Sequence, residues 1–324
     1  DETLGRLEVK TAHTLLRRTK GVHIVVPADR LPLDRAITLI SPVDQRVMFA
    51  IPWRGRTVLG TTDTDFDGTA DDVAADADDV RYLCDSANGY FPSAALTPDD
   101  VIATWAGLRP LIAGPPDADE SEVSREHEVY TRGDGVVIIA GGKLTTYRRM
   151  AKECVDAAVA VLTELTGFDP GHLERSGTKH RPLPGGDGLP DEGLVGVAAI
   201  GRQLMTDYGV DADVATHLCG VYGARAPEVL AARRQDGASR IDPELPYVWA
   251  EVDFAVRHDF AKTVEDVLAR RVPLLLVARD QGLGVTDAVA ARMAELLGWD
   301  ADTRGHMIAG YRTEVELSRL WRAR

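Results

Sequence analysis

The stretch AGGKLTTYR, Ala140 to Arg148, joins two patterns of different period. Before it, Val136 to Ala140 is a short apolar run of β type. After it, Met150, Cys154, Val155, Ala158, Val159 and Leu162 recur at helical spacing as one apolar stripe. A long helix is therefore predicted to start near Thr145, with Gly167 as its C-terminal stop. Glycines let another group approach the backbone closely, and N–H groups at a helix start carry partial positive charge. Lys143 adds a full charge at the same place. The arrangement suits an anion or an electron-rich ring; a plain strand–turn–helix with a solvated lysine reads equally well from the pattern. No GxxxxGK[ST] frame fits, so it is not a P-loop.

Upstream, the chain reads as strands. Val123 to Thr131 pairs with Val136 to Ala140 around Gly133-Asp134-Gly135, and Val22 to Pro27 is a β-branched run closed by proline. Arg46 to Pro52 and Arg56 to Thr62 flank Trp53-Arg54-Gly55, a hairpin signal. Asp71 to Asn88, with Val73, Ala77, Val80 and Cys84 at helical spacing, predicts a surface helix. Val101 to Leu108 predicts a strand stopped at Arg109-Pro110.

Downstream, Arg175 to Gly193 is dense in Gly, Pro and charge. A boundary there gives residues 1–180 as a part of α+β type with an antiparallel sheet. Residues 181–324 follow as a mostly helical C-terminal domain. Thr263 with Asp266 predicts a capping box, and Thr286 a cap for a helix stopping at Gly298. A length of 324 residues fits two domains. Lys and Arg number 37 against 51 Asp and Glu, a net charge of −14, which argues against a generic nucleic-acid binder. Cys84, Cys154 and Cys219 are odd in number and widely spaced, which points to a reducing, cytoplasmic setting without disulfides or a metal finger. No apolar run reaches membrane-spanning length. The chain opens in patterned sequence without a start Met or signal peptide, so an N-terminal part is expected to precede it.

Three further segments carry candidate chemistry. In WAGLRPL (105–111), Arg109 at a strand end could fork onto a phosphate or carboxylate, or lie solvated on the surface. In GVHIVVP (21–27), His23 sits in an apolar strand, where a satisfied core histidine competes with an acid–base role. GTTDTD (60–65) reads as a turn rather than a metal loop, because EF-hand spacing is missing.

Taken in order, GVHIVVP, FAIPW (49–53), LGTTDTD (59–65), WAGLRPL, SREHEV (124–129) and GGKLTTYR (141–148) resemble the FAD-dependent, quinone-linked glycerol-3-phosphate dehydrogenases. That family opens with a Rossmann strand and a GxGxxG loop, which this sequence does not contain, so the resemblance implies the later portion of such an enzyme. It implies FAD as cofactor, with Gly141, Gly142, Lys143, Leu144 and Thr145 beside it. It implies oxidation of sn-glycerol 3-phosphate to dihydroxyacetone phosphate, with hydride passing to the flavin and electrons to a quinone. Arg109 and Lys143 take phosphate and flavin-side electrostatics, Arg125 is a second cation at the substrate, and His23 abstracts or orients the hydroxyl proton. Neither nucleic acid nor metal is implied. A cytoplasmic protein, peripherally associated with the inner face of the membrane and homodimeric, is compatible with it. An oxidase using O2 and a catalytically inert fragment without the pyrophosphate site are the alternatives.

Overall fold

The β-branched run at residues 22–27 extends backwards into a strand of 12 residues, β1 (Leu16–Pro27), in which Val22, Ile24, Val25 and Val26 are fully buried. The computed structural model describes residues 16–112, 126–189, 194–232 and 236–323. After β1 come β2 (Ile37–Ile40), β3 (Val47–Trp53), β4 (Arg56–Gly60) and the short β5 (Thr64–Asp65). β3 and β4 form the expected hairpin, with Trp53 paired to Arg56 across Arg54-Gly55. Both turn residues have positive φ, 52° and 73°. Such a turn matches the twist of the strands it joins, and Gly55 adopts that conformation without a Cβ clash. β4 also pairs with β1, from Pro27 opposite Arg56 to His23 opposite Gly60.

Helix α1 (Ala77–Tyr90) starts later than residue 71, where the spacing placed it. The Asp76 side chain accepts from the N–H groups of Asp78 and Asp79, and the Asp79 carboxylate accepts from the Asp76 N–H. This capping box fixes the start, and Ala70–Asp72 is left as a separate 3-10 turn. Val80, Leu83, Cys84 and Ala87 face one core with Val22, Ile24, Met48 and Leu59. Burial pushes the Cys84 thiol up to about 12, and burial raises Cys219 as well, so neither is a ready thiolate.

β6 (Ala103–Ile112) runs through Arg109-Pro110 instead of stopping there. Among the described strands it pairs with β1 alone, and Pro110 is exposed, so the missing N–H removes no interior ladder bond. β7 (His127–Thr131) and β8 (Val137–Gly141) pair from His127–Gly141 to Thr131–Val137. Residues 123–125 of the predicted strand lie outside the described residues. A 3-10 turn, Leu144–Thr146, separates β8 from α2 (Tyr147–Thr166), which ends on Gly167 at φ 67°, as the sequence predicts. The predicted stripe on α2 divides. Met150, Cys154 and Val159 are half-buried, whereas Val155, Ala158 and Leu162 are exposed. Met150 and Leu165 turn to the hairpin, approaching the backbone at Gly142 and Gly135, with Val161 further off.

The C-terminal part is helical, as expected: α3 (Leu194–Tyr208), α4 (Ala212–Tyr222), α5 (Ala226–Ala231), α6 (Trp249–His258), α7 (Leu274–Val277), α8 (Thr286–Leu297) and α9 (Ala301–Leu317). Thr263 and Asp266 exchange the predicted capping-box bonds, each 3.0 Å, but the turn that follows, Asp266–Arg271, is π-helical. Thr286 does not cap α8. It is the first helical residue, and its hydroxyl donates back to the Gly282 carbonyl at 2.8 Å. Gly298 ends α8 at φ 72°.

The chain divides into two compact units. One gathers Asp1–Gly21, Asp63–Val73 and Gly107–Arg181; the other gathers Val22–Thr62, Ala74–Ala106 and Pro182–Arg324. Among the described residues, no helix is long and apolar enough to cross a membrane.

Candidate functional site

Within the first unit, Arg109 on β6 stands over the backbone of Gly21 on β1. A Cβ at Gly21 would lie 2.4–2.7 Å from the guanidinium atoms, so the cation occupies the space a side chain would fill. Arg109 Nη1 donates to Asp63 Oδ1 at 2.9 Å, and both side chains are largely buried. Asp63 is held in place by its own neighbours. The chain just beyond it forms β5, which pairs Thr64 with Lys20 and Asp65 with Thr19. Arg17 donates to both carboxylate oxygens of Asp65, at 2.9 and 2.8 Å. The result is a guanidinium fixed in plane and direction, which is what recognition of a phosphate or carboxylate needs. Lys20, on the same strand, is buried.

The predicted glycine pair also lies in this unit. Gly141 and Gly142 have φ of 70° and 86°, where a Cβ is strained. A Cβ at Gly141 would meet the Glu126 carbonyl at 2.7 Å, and one at Gly142 would meet the Met150 thioether within 2.6 Å. Glycine is therefore demanded here by the packing of the hairpin and α2 themselves. Lys143 and Thr145 follow, both exposed, and Leu144 is 88 % exposed. The Lys143 carbonyl accepts from the N–H and the hydroxyl of Thr146, which closes the turn ahead of α2. The N-terminus of a helix of 20 residues thus opens beside an exposed lysine and an exposed apolar side chain. One turn further on, His127 Nε2 and Arg149 converge on Glu153, at 2.6 Å each. Arg149 first, then His127, hold the Glu153 carboxyl below the usual range. Arg125 lies outside the described residues.

His23 belongs to the second unit. It faces Gly60 across the β1–β4 ladder, and its ring lies parallel to that of Trp105, with centroids 4.9 Å apart and planes 11° from parallel. The segment after β4 is bound back to β1 by Thr62, whose N–H donates to the Val22 carbonyl and whose Oγ1 accepts from the Val22 N–H at 3.0 Å. GTTDTD is therefore not the predicted turn: Gly60 ends β4, Thr64–Asp65 is β5, and the chain runs on alongside β1 between them, because β1 is long enough to pair with both. The structure adds the pairings between the quoted segments, Asp63 with Arg109 and Gly60 and Trp105 with His23, and a pair that spacing did not single out, His127 with Glu153. Their signal was weak, because each partner is distant in sequence.

Residues 2–148 match the family described as FAD dependent oxidoreductase, and residues 176–304 the one described as C-terminal domain of alpha-glycerophosphate oxidase. The chain is 37% identical over 313 residues to a glycerol-3-phosphate dehydrogenase of Mycobacterium leprae, covering 95% of this chain and 50% of that protein. It is 33% identical over 304 residues to an aerobic glycerol-3-phosphate dehydrogenase of Staphylococcus aureus, covering 93% of this chain and 52% of that one. A crystal structure of the glycerol-3-phosphate dehydrogenase from Bacillus halodurans, complexed with FAD, superposes with a TM-score of 0.77 at 31% identity, over 98% of this chain and 60% of that one. The chain spans about half the length of the curated relatives it matches.

Proposed function

The chain belongs to the FAD-dependent glycerol-3-phosphate dehydrogenase family, and from that premise we propose that it serves the oxidation of sn-glycerol 3-phosphate to dihydroxyacetone phosphate, with a quinone as the final electron acceptor. The observation that carries this reading is Arg109, pinned by Asp63 over the bare backbone of Gly21. A fixed guanidinium of this kind is made for a dianionic phosphate, and it lets a chain of net charge −14 bind an anion. Arg109 holds the substrate phosphate, and Lys143 and Arg125 supply further positive charge to substrate and flavin.

The turn after β8 fits FAD. Exposed Leu144 would offer a flat, largely apolar ring an apolar neighbour, and the helix start with Lys143 would offer positive charge to an electron-rich edge. Gly141, Gly142, Lys143, Leu144 and Thr145 are the residues that hold it. Bound FAD supplies the hydride acceptor for the substrate C2–H. His23 takes or orients the proton of the C2 hydroxyl, so that the carbonyl forms as the hydride leaves. The protein works at the inner face of the cell membrane as a peripheral enzyme and a homodimer.

One test reduces the FAD-loaded protein anaerobically. Glycerol 3-phosphate should bleach the flavin absorbance and glycerol should not; bleaching by neither rejects the reading. The relationship of residues 176–304 to an oxidase domain favours O2 as a second acceptor. Reoxidation by a soluble quinone without peroxide supports the dehydrogenase, and stoichiometric peroxide in air supports the oxidase.

A further inference from the structure

We propose that Trp105 is a positioning residue for His23, a role that rests on the proton-handling function proposed above for that histidine. The imidazole is confined on two sides. Its Cδ2 edge occupies the place of a missing side chain, since a Cβ on Gly60 would lie 2.1 Å from Cδ2. One face lies on the Trp105 indole at 4.9 Å, 11° from parallel. A histidine ring turns about two side-chain torsions. The bare glycine gives the ring room in the plane of the ladder, and the indole limits its tilt.

Trp105 is itself held. Trp53 of the β3–β4 hairpin packs against it at 6.2 Å and 52°. Both indoles, with Leu276 of α7, rest on a buried cluster of Val25, Val58, Ile102 and Ala103. The guanidinium of Arg54 sits 5.2 Å over the Trp53 ring, and Arg56 Nε donates to the Val277 carbonyl at 2.9 Å. The hairpin and α7 therefore form a rigid mount behind Trp105. Through it, helical residues far along the chain set the angle of His23. Aligning a proton acceptor with a substrate hydroxyl tolerates little error, so loss of the mount is felt in turnover more than in binding.

The test has a structural arm and a kinetic arm. The protein is labelled with 13C-histidine, and the His23 ring signals are identified by their absence in His23→Asn. Stacking on an indole shifts ring protons upfield. Trp105→Phe should keep much of that displacement, and Trp105→Leu, which retains bulk without a ring, should lose it. In the FAD-loaded protein turning over glycerol 3-phosphate, Trp105→Leu should lower kcat about 10- to 100-fold with a smaller change in KM, and Trp105→Phe should restore most of it. Thermal melting of each variant separates this from misfolding. His23 signals in the same place in wild type and Trp105→Leu overturn the proposal, as does a folded Trp105→Leu with wild-type kcat. A wild-type protein inactive on glycerol 3-phosphate counts against the substrate assignment; the NMR arm still decides Trp105.

Discussion

Helices α2 and α6 are built on opposite plans. α6 has 10 residues, of which seven, Ala250 to Val256, are buried, including the carboxylates of Glu251 and Asp253. α2 has 20 residues and buries none of them fully. On α6 each buried charge has its own partner. Asp253 is held at both oxygens by Arg292 of α8, with Nε–Oδ1 at 2.7 Å and Nη2–Oδ2 at 2.5 Å. Glu251 accepts from the Val248 N–H and the Tyr222 hydroxyl and pairs with His217 at 2.8 Å. Burial, then the neighbouring Glu251 charge, pushes the Tyr222 phenol upward, so it stays a donor. α2 instead leaves Val155 and Leu162 on its surface and is tied to its hairpin by the partly buried His127–Glu153 pair, to which the exposed Arg149 adds. A helix sealed by paired buried charges draws its stability from a finished core, and one with an exposed apolar face does not draw it from that face.

The largest effect expected from that contrast is at Arg292. Arg292→Ala leaves the Asp253 carboxylate buried without its counter-charge and should cost about 3–5 kcal/mol. Urea unfolding followed through the C-terminal helices measures it. Replacing both residues with leucine should recover most of the loss, since the desolvation cost of both charges disappears with them. A single variant within about 1 kcal/mol of wild type would mean that the pair is not shielded as its burial indicates.

Next is Arg109, which lies in the same unit as α2 but is largely buried and donates to Asp63. Arg109→Ala should remove a charge-assisted contact of roughly 2–3 kcal/mol, about 30- to 150-fold in kcat/KM for glycerol 3-phosphate. Arg109→Lys should fall short of rescue, because the planar fork that could meet Asp63 and the proposed phosphate together is lost. Wild-type kinetics in Arg109→Ala would place the phosphate elsewhere.

How much of this was legible in the sequence depends on the range of the interaction. The turn at Arg54-Gly55, the stop at Gly167 and the helix after Gly142 are set by neighbours a few residues away, and the pattern carried them. The late start of α1 was missed because an Asp-rich run offers several caps, and only the reciprocal bonds of Asp76 and Asp79 choose among them. The strand ran on past Pro110 because an exposed proline on β6 forfeits no interior hydrogen bond. His23 and Arg109 were found through motifs. What holds them, Trp105 and Asp63, lies 82 and 46 positions away, in quoted motifs whose pairing leaves no local signature. The helical stripe on α2 was read correctly as apolar, but that half of it stays exposed was not legible, because periodicity tells where apolar side chains point and not what meets them.

A smaller effect concerns the tether of α2. The Glu153 carboxyl is held low by Arg149, then by His127. A depressed acid contributes stability above its unfolded value, near 4.3 for glutamate, and the contribution is lost as pH falls through the folded value. An NMR titration should therefore place the Glu153 midpoint below 4.3, with the hairpin contacts of α2 loosening only under those acidic conditions, and salt should weaken the tether at neutral pH. A midpoint at or above the ordinary value would remove the ion cluster from the account of how α2 is held.

The smallest expected effect tests the open face itself. Val155 is 60 % exposed and Leu162 is 44 % exposed, so neither loses much contact on truncation. Val155→Ser and Leu162→Ser should each change stability by no more than about 0.5 kcal/mol, the range of surface substitutions. Phe254→Ala on α6 removes a fully buried ring packed edge-on against Tyr222 at 5.5 Å and should cost about 3–5 kcal/mol. Chemical denaturation of the three variants side by side gives the ratio directly. Serine also lowers helix propensity slightly, so Ala158→Ser, on the same exposed face, serves as the propensity control. If Val155→Ser or Leu162→Ser costs more than about 2 kcal/mol beyond that control, the face is covered in the protein as it folds in solution, and the contrast between the two helices fails. If the loss stays within the control, the apolar stripe of α2 owes nothing to the stability of this chain, and its conspicuous hydrophobicity is left to be explained by what it meets.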